Sequence, residues 1–378
     1  MAQLSSHPLP ASALRVAALQ RIYASTPSAP SAGVAAHPTP TPPPISERRS
    51  RPSTTIAAPS GPRPRLLSER YELLEYLDSG GTAEIFVALD RHTGRQVAVK
   101  ILNDKAHADP LLRGYFLAGA RAALRIRHPN VVRAEAVLER PEGSPFAVME
   151  VIAGKPLSSV LANHGALPPL MVAELAIQAA AGLDAAHRAG VVHCDVKPEN
   201  LLIGRRGCGR LQLKVIDFDL AALNAEDEPH EHPMLRGTAK YMSPEQVVGD
   251  RIDARTDVYS LGMVLFRMLT GHLPFELELS ATLLWHQLVS RPPPPSWLCD
   301  DVDARLEAIV LKALRKAPQN RYATMSLMLA DLHAWHAGQP LLAERPLPQP
   351  DVFVARRETA RAAAQAIVHC VQRGAATP

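Results

Sequence analysis

The ordered part of this chain reads as an α+β protein, strand-rich at first and mostly helical afterwards. Three observations lead there. Residues 1–68, exemplified by PHPTPTPPPISERRSRP, are rich in Pro, Ser and Ala and carry almost no periodic apolar pattern. Between Tyr71 and Val151 short runs of alternating apolar residues are broken by turn residues, the period of strands. Beyond about residue 153 the apolar spacing is mostly helical.

Composition bounds the rest. The chain has 378 residues, 47% hydrophobic and 21% charged, enough for a sizeable core in one large two-lobed unit with tails or in two to three domains. Four cysteines (Cys194, Cys208, Cys299, Cys370) are scattered without a C-x-x-C pair, which argues against a disulfide framework or structural zinc and fits a cytoplasmic location. No uninterrupted run of about 18 apolar residues occurs, so no membrane span is expected. The net charge is +4, but residues 1–70 carry eight Arg against two acids, leaving the remainder slightly negative; no nucleic-acid partner is expected. Residues 1–68 cannot bury enough surface to offset their ordering entropy and are expected to form a disordered arm. Their Arg- and Ser-bearing, acid-poor character also fits a transit peptide, although a flexible cytoplasmic tail is the plainer reading.

The elements follow in order. YELLEYLDSGGTAEIFVALD reads as two strands around a Gly-containing turn, and RQVAVKIL as a strand with Val97, Val99 and Ile101 on one face and Ala98 and Lys100 on the other. An inward lysine beside a Gly turn suits an anionic phosphate, whereas an edge lysine reaching solvent is the bland alternative. A helix is expected over about Pro110 to Arg127, then strands near Val131–Leu138 and Phe146–Val151. After the helical part, LLAERPLPQPD reads as a linker and Asp351 to Gly374 as an Ala-rich helix.

One stretch stands out: VVHCDVKPENLLI, where apolar pairs flank His193, Cys194, Asp195, Lys197, Glu199 and Asn200. With VAVK, HPNVV, VME, DFD, GTAKYMSPEQ, DVYSLG, LPF and NRYATM in order around it, residues 71 to about 336 resemble a bacterial Ser/Thr protein kinase of the eukaryotic-like (Hanks) type. The resemblance implies a bilobal protein-kinase fold. An N-lobe (about 71–150) would hold a twisted antiparallel sheet and a C-lobe (about 153–336) the helices, with residues 337–378 as linker and C-terminal helix.

It also implies the chemistry. Phosphoryl transfer needs positioning and charge neutralisation. By resemblance Asp195 is the residue that accepts the substrate hydroxyl proton, and Lys197 neutralises the transferring group. Asn200 and Asp217 are the magnesium ligands (manganese being the substitute), and Lys100 binds the α/β-phosphates of ATP. Leu77, Gly80, Ile85, Ala98 and Leu202 fall at nucleotide-binding positions, Met149 guards the back pocket, and Glu150 and Ile152 supply the hinge backbone. Asp257 matches a brace beneath the catalytic loop, Glu245 and Arg321 a buried ion pair, and Thr238 a contact to that loop.

The departures are as specific. Asp78 and Ala83 replace the outer glycines of the glycine-rich loop, leaving Gly80, and Asp78 adds negative charge there. Aligned on HPN, Gly119 occupies the position of the helix glutamate that pairs with the lysine, and no acid lies between Pro110 and Arg127. DFD stands for DFG. Lys100 is therefore expected within about 4 Å of a carboxylate of Asp217 or Asp219. Imperfect positioning worth ~2–3 kcal/mol would slow transfer roughly 30- to 150-fold, and Gly119→Glu is expected to be tolerated. Cys194 replaces an arginine that clamps a phosphorylated activation loop, and Leu220 to Gly237 contains no Ser, Thr or Tyr. Glu226, Asp227, Glu228, Glu231, His230 and His232 of that loop read as a solvated acidic stretch rather than a metal site.

The functional expectation is ATP-dependent phosphorylation of Ser/Thr hydroxyls in protein substrates, independent of activation-loop phosphorylation and low in activity. The alternative is a pseudokinase that binds nucleotide or acts as a scaffold. Partner docking is expected through the arm or the C-terminal helix.

Overall fold

The computed structural model describes residues 66–140, 143–205, 209–221, 239–276, 280–344 and 351. The arm up to residue 65 and the C-terminal helix expected after Asp351 lie outside the described residues.

Five strands, β1 (Tyr71–Ser79), β2 (Ala83–Asp90), β3 (Arg95–Leu102), β4 (Ala134–Leu138) and β5 (Phe146–Glu150), form an antiparallel sheet in the order β1-β2-β3-β5-β4. The alternation in RQVAVKIL works as expected. Val97, Val99 and Ile101 join Tyr71, Phe86, Phe146 and Val148 in one apolar cluster. On the opposite face, Leu102 and Ala147 pack beneath helix α1 (Pro110–Ala123), through Phe116, Leu117 and Ala120. Lys100 shares this second face, since it is two residues from Leu102 and pairs with Ala147. Leu67 is buried and belongs to the first cluster, so the lobe begins inside the segment expected to be disordered up to residue 68.

α1 starts on an Asp109 cap whose Oδ1 accepts from the amides of Leu111 (2.9 Å) and Leu112 (3.3 Å), with Pro110 preset for the first turn. It ends at Ala123 rather than Arg127. The amides of Arg125 and Ile126 reach back three residues, to Ala122 and Ala123, as tightened terminal turns. Pro129 then disfavours helical backbone at His128.

The second lobe is built on α2 (Leu157–His164), α3 (Pro169–Arg188), α4 (Pro244–Val248), α5 (Arg255–Thr270), α6 (Ser280–Val289), α7 (Ala304–Ala313) and α8 (Met325–His336). α5 is buried along nearly its whole length and packs on α3 and α7; α8 packs on α3. Among the described residues only α3 combines the length and hydropathy (1.2) of a membrane span, and 61% of that window is buried inside the lobe, as befits a core helix.

The sequence reading missed a second sheet, β6 (Gly154–Pro156), β7 (Leu201–Arg205) and β8 (Leu211–Val215), in the order β6-β7-β8. Strands of three and five residues are too short for a periodicity argument. After α8 the chain stays on the lobe: Asp331 accepts from the amides of Leu342 (2.7 Å) and Ala343 (2.8 Å), and Asp351 accepts from that of Lys316 (2.9 Å).

Candidate active site

The segment from Val191 to Asn200 is held from below. Asp257, fully buried near the start of α5, accepts from the backbone amides of His193 (2.8 Å) and Cys194 (2.9 Å) and from His187 Nε2 (2.7 Å). Burial alone would raise this carboxyl, but His187 and the two amides outweigh it and hold it below the usual range. The two amides it grips flank a strained point, for Cys194 has φ +64°. A side-chain-bearing residue in this left-handed region costs roughly 1–3 kcal/mol, and the grip of Asp257 maintains it. Gln246 Nε2 donates to the Cys194 carbonyl (2.7 Å) from the other side.

That bend presents Asp195. Its Oδ2 takes Lys197 Nζ at 2.6 Å and Asn200 Nδ2 at 3.0 Å, and Asn200 Nδ2 also donates to the Asp195 carbonyl (2.9 Å). Asp195 Oδ1 is buried and has no hydrogen-bond partner among the described residues. A buried acceptor left this way costs about 1–3 kcal/mol, which marks it as a functional atom rather than a structural one. Because both Asn200 amide protons serve Asp195, its Oδ1 remains an uncommitted acceptor among the described residues.

The DFD segment sits alongside. The amide of Ile216 donates to the Asn200 carbonyl (3.0 Å), and His193 Nε2 donates to the Ile216 carbonyl (2.9 Å). The Phe218 ring lies 4.6 Å from that of His193. Asp217 has φ +66°, a second strained residue, which turns its carboxylate to Lys100. Lys100 Nζ lies 2.7 Å from Asp217 Oδ1 and 2.5 Å from Asp219 Oδ2, well within the expected 4 Å.

Two carboxylates thus share one ammonium. Burial would lower the Lys100 ammonium, but the paired charges hold it above its ordinary value. Burial likewise opposes ionisation of Asp217, yet Lys100 beside it keeps this carboxyl well below the usual range. Asp219 goes the other way, pushed up to about 7 by burial and by the Asp217 charge. About a third of each carboxylate side chain remains open to the cleft, which moderates both shifts.

The residues expected around a nucleotide surround this cluster. Ile85 pairs with Lys100 across β2 and β3, Ala98 with Met149 and Val97 with Glu150 across β3 and β5, and Leu202 lies on β7 opposite Pro156. Leu77 is 48% exposed at the irregular end of β1. The Gly80 amide closes a turn onto the Ala83 carbonyl (2.8 Å), and Asn103 anchors that turn through Gly81 (3.0 Å) and Thr82 (2.9 Å). Asp78 is turned back onto its own strand, its Oδ1 accepting from the Ser79 amide at 2.8 Å. Thr238 and the acidic stretch 226–232 lie outside the described residues.

One expectation is overturned. A Cβ built on Gly119 would stand 2.4 Å from the Phe218 carbonyl oxygen and 2.7 Å from the Asp219 Cα. Both are backbone atoms, so Gly119→Glu is not tolerated without displacing the DFD segment. A missing glutamate looked like a simple loss in sequence; in space it is an occupied contact.

The protein kinase domain family model matches residues 71–333. The chain belongs to the protein kinase family. Its kinase region is similar to the Ser/Thr protein kinase PknB of Mycobacterium leprae, at 38% identity over 295 residues, 76% of this chain and 46% of that protein. A probable Ser/Thr protein kinase of Streptomyces coelicolor is 36% identical over 286 residues, 74% of this chain and 42% of that one. The chain therefore spans less than half the length of the curated relatives it matches. Among solved structures, the PknI kinase domain of Mycobacterium tuberculosis shares the fold, with a TM-score of 0.58 at 21% identity, covering 73% of this chain and all of that one.

Within this kinase domain the sequence reading overlooked several positioning groups. Gln246 was read only as part of a motif, and His187 and Asn103 not at all. Lys214 also went unread: its Nζ meets the Glu150 carboxylate at 2.6 Å, and Glu150 in turn accepts from the Arg133 amide (2.8 Å), tying the segment between the lobes. Each acts through partners more than ten residues distant, so no local pattern marks them. Glu245 and Arg321 were found, and they form a bidentate pair at 2.6 and 2.7 Å.

Proposed function

We propose that this domain transfers the γ-phosphoryl group of ATP to Ser/Thr hydroxyls of protein substrates. The observation that carries it is the convergence of Asp195, Lys197, Asn200, Asp217 and Lys100 from one loop, the DFD segment and β3. ATP with magnesium supplies the phosphoryl donor and neutralises its phosphate oxygens. The donor set suits that metal: hard oxygens, namely Asn200 Oδ1 and the cleft-open Asp217 carboxylate, would hold it.

The remaining roles fall to the chain itself. Ile85, Ala98, Leu202, Leu77 and Met149 enclose the adenine, with the backbone of Glu150 and Ile152 at its edge and Gly80 over the phosphates. Lys100 holds the α/β-phosphates. Asp195 orients the substrate hydroxyl and takes its proton; the hydroxyl oxygen bonds to the γ-phosphorus as the bond to the ADP oxygen breaks. Lys197 balances charge on the group in flight. Because residues 220–237 hold no hydroxyl side chain and Cys194 is no clamp, this activity would not wait on a loop phosphate. The unpaired thiols of Cys194 and Cys299 suit a reducing, cytoplasmic setting for this domain.

The test is incubation with magnesium and γ-labelled ATP and a Ser/Thr-bearing acceptor protein, beside Asp195→Asn. Wild-type labelling should exceed the variant's at least 100-fold. Equal labelling would instead favour the second reading, a nucleotide-binding scaffold, to which Asp78, Ala83 and Gly119 already point.

A further inference from the structure

A buried ammonium must be matched by charge, and the element packed over Lys100 offers none. α1 carries no acidic residue, and Lys100 is only 9% exposed. Its charge is met instead by two carboxylates of one three-residue segment, Asp217 at 2.7 Å and Asp219 at 2.5 Å. Those two are not equivalent. Asp217 also has the metal to serve, and a carboxylate shared with a divalent cation gives less of its charge to a lysine. Asp219 has no such second duty.

The position of Asp219 depends on α1. The helix comes so close to the segment that a methyl group at 119 would lie 2.4 Å from the Phe218 carbonyl oxygen and 3.1 Å from the Asp219 carbonyl carbon. Only a residue without a side chain admits this approach. The bare helix surface therefore does more than omit a charge: it lets the backbone of 218–219 move in and bring a carboxylate with it.

From this we infer that Asp219 is the positioning residue that holds Lys100 for the nucleotide phosphates, and that Gly119 is the residue that makes room for it. Lysine brace and metal-binding aspartate are thereby fused into one segment. Lys100 is aimed by the state of Asp217–Asp219 and not by any side chain of α1. This role rests on the kinase reading above, but its binding arm does not require turnover.

The experiment uses the full chain. Affinity for ATP with magnesium is measured by calorimetry in an Asp195→Asn background, alone and combined with Asp219→Asn, Gly119→Ala or Lys100→Met. Phosphate transfer is measured separately in otherwise wild-type protein. Asp219→Asn keeps the side-chain shape, so its melting temperature should not fall. It should weaken ATP binding about fivefold or more and lower kcat by at least tenfold. Added to Lys100→Met it should cause no further loss in either quantity, because the brace then has nothing to hold. Gly119→Ala should reproduce the loss of affinity by displacing 218–219; should it fail to fold, Asp219→Asn still decides. Wild-type affinity in Asp219→Asn would overturn the proposal, as would an undiminished further loss on the Lys100→Met background. If no variant or wild type transfers phosphate, the kinase reading fails while the binding arm still decides the role of Asp219.

Discussion

The floor and the roof of this cleft are built to different tolerances. Beneath the catalytic loop every polar group is buried and matched. Asp257 accepts from two amides and an imidazole, and Arg321 reaches Glu245 with two nitrogens while donating to the carbonyls of Arg255, Arg315 and Lys316. Above, the Lys100 cluster faces a cleft, Asp217 and Asp219 being 34% and 28% exposed, and one carboxylate has been exchanged for another on a different element. The difference teaches where substitution is possible. A dry site with fixed hydrogen-bond directions accepts only the partner that fits, because a lost partner leaves an unmatched charge. A wetter site that needs only opposite charge nearby can take it from whichever backbone comes close.

The largest test of that contrast is on the floor. Arg321→Ala should destabilise the domain by ~3–5 kcal/mol, read from urea or thermal unfolding, since it strands Glu245 in the dry interior. Asp219→Asn above should lower rate without lowering stability. A stability loss as large as that of Arg321→Ala would erase the distinction between the two regions.

A smaller effect sharpens the account of the floor. Lys316 is buried with its ammonium donating to the Tyr259 hydroxyl (3.0 Å) and the Gln287 carbonyl (2.9 Å), above the Phe275 ring at 4.7 Å. Burial, with Arg321 nearby, brings it down to about 7. The folded state then binds fewer protons than the unfolded chain between pH 7 and the ordinary lysine value, so stability should rise with pH across that window. The expected slope is on the order of 1 kcal/mol per pH unit from about pH 7.5 to 9. Lys316→Met should flatten it in unfolding curves taken at several pH values; an unchanged slope would mean the ammonium is at ease where it lies.

The smallest expected effect concerns regulation. Phosphatase treatment should change the rate toward an added protein substrate by less than about twofold, since residues 220–237 contain no acceptor hydroxyl. A tenfold fall would show that the domain depends on a phosphate elsewhere.

Much of this was legible in the chain. Alternation in RQVAVKIL turned Lys100 inward, because a strand's period is two and one face must be apolar. The order of short motifs gave the family, and with it Asp195, Asn200, Asp217 and the buried pair Glu245–Arg321. Even the lysine's unusual partner could be reasoned out, from an acid-free helix and an added carboxylate in DFD. Less readable were the groups whose partners lie far along the chain: Gln246 on Cys194, Lys214 on Glu150, Asn103 on the glycine turn. The short sheet of the second lobe also escaped, for strands of three to five residues carry too little pattern.

Gly119 marks the boundary between the two kinds of knowledge. By itself the sequence determined which charges exist and which face of a strand or helix each occupies, because local periodicity and residue chemistry set those. Only the tertiary structure decided what a missing side chain means. Whether Gly119 leaves a gap or admits a neighbour depends on the distance between two backbones, and close packing of distant segments settles that distance. Here it admits the DFD segment at contact range. The strained backbone at Cys194 and Asp217 is of the same kind, since no local preference favours it and only their surroundings hold it in place.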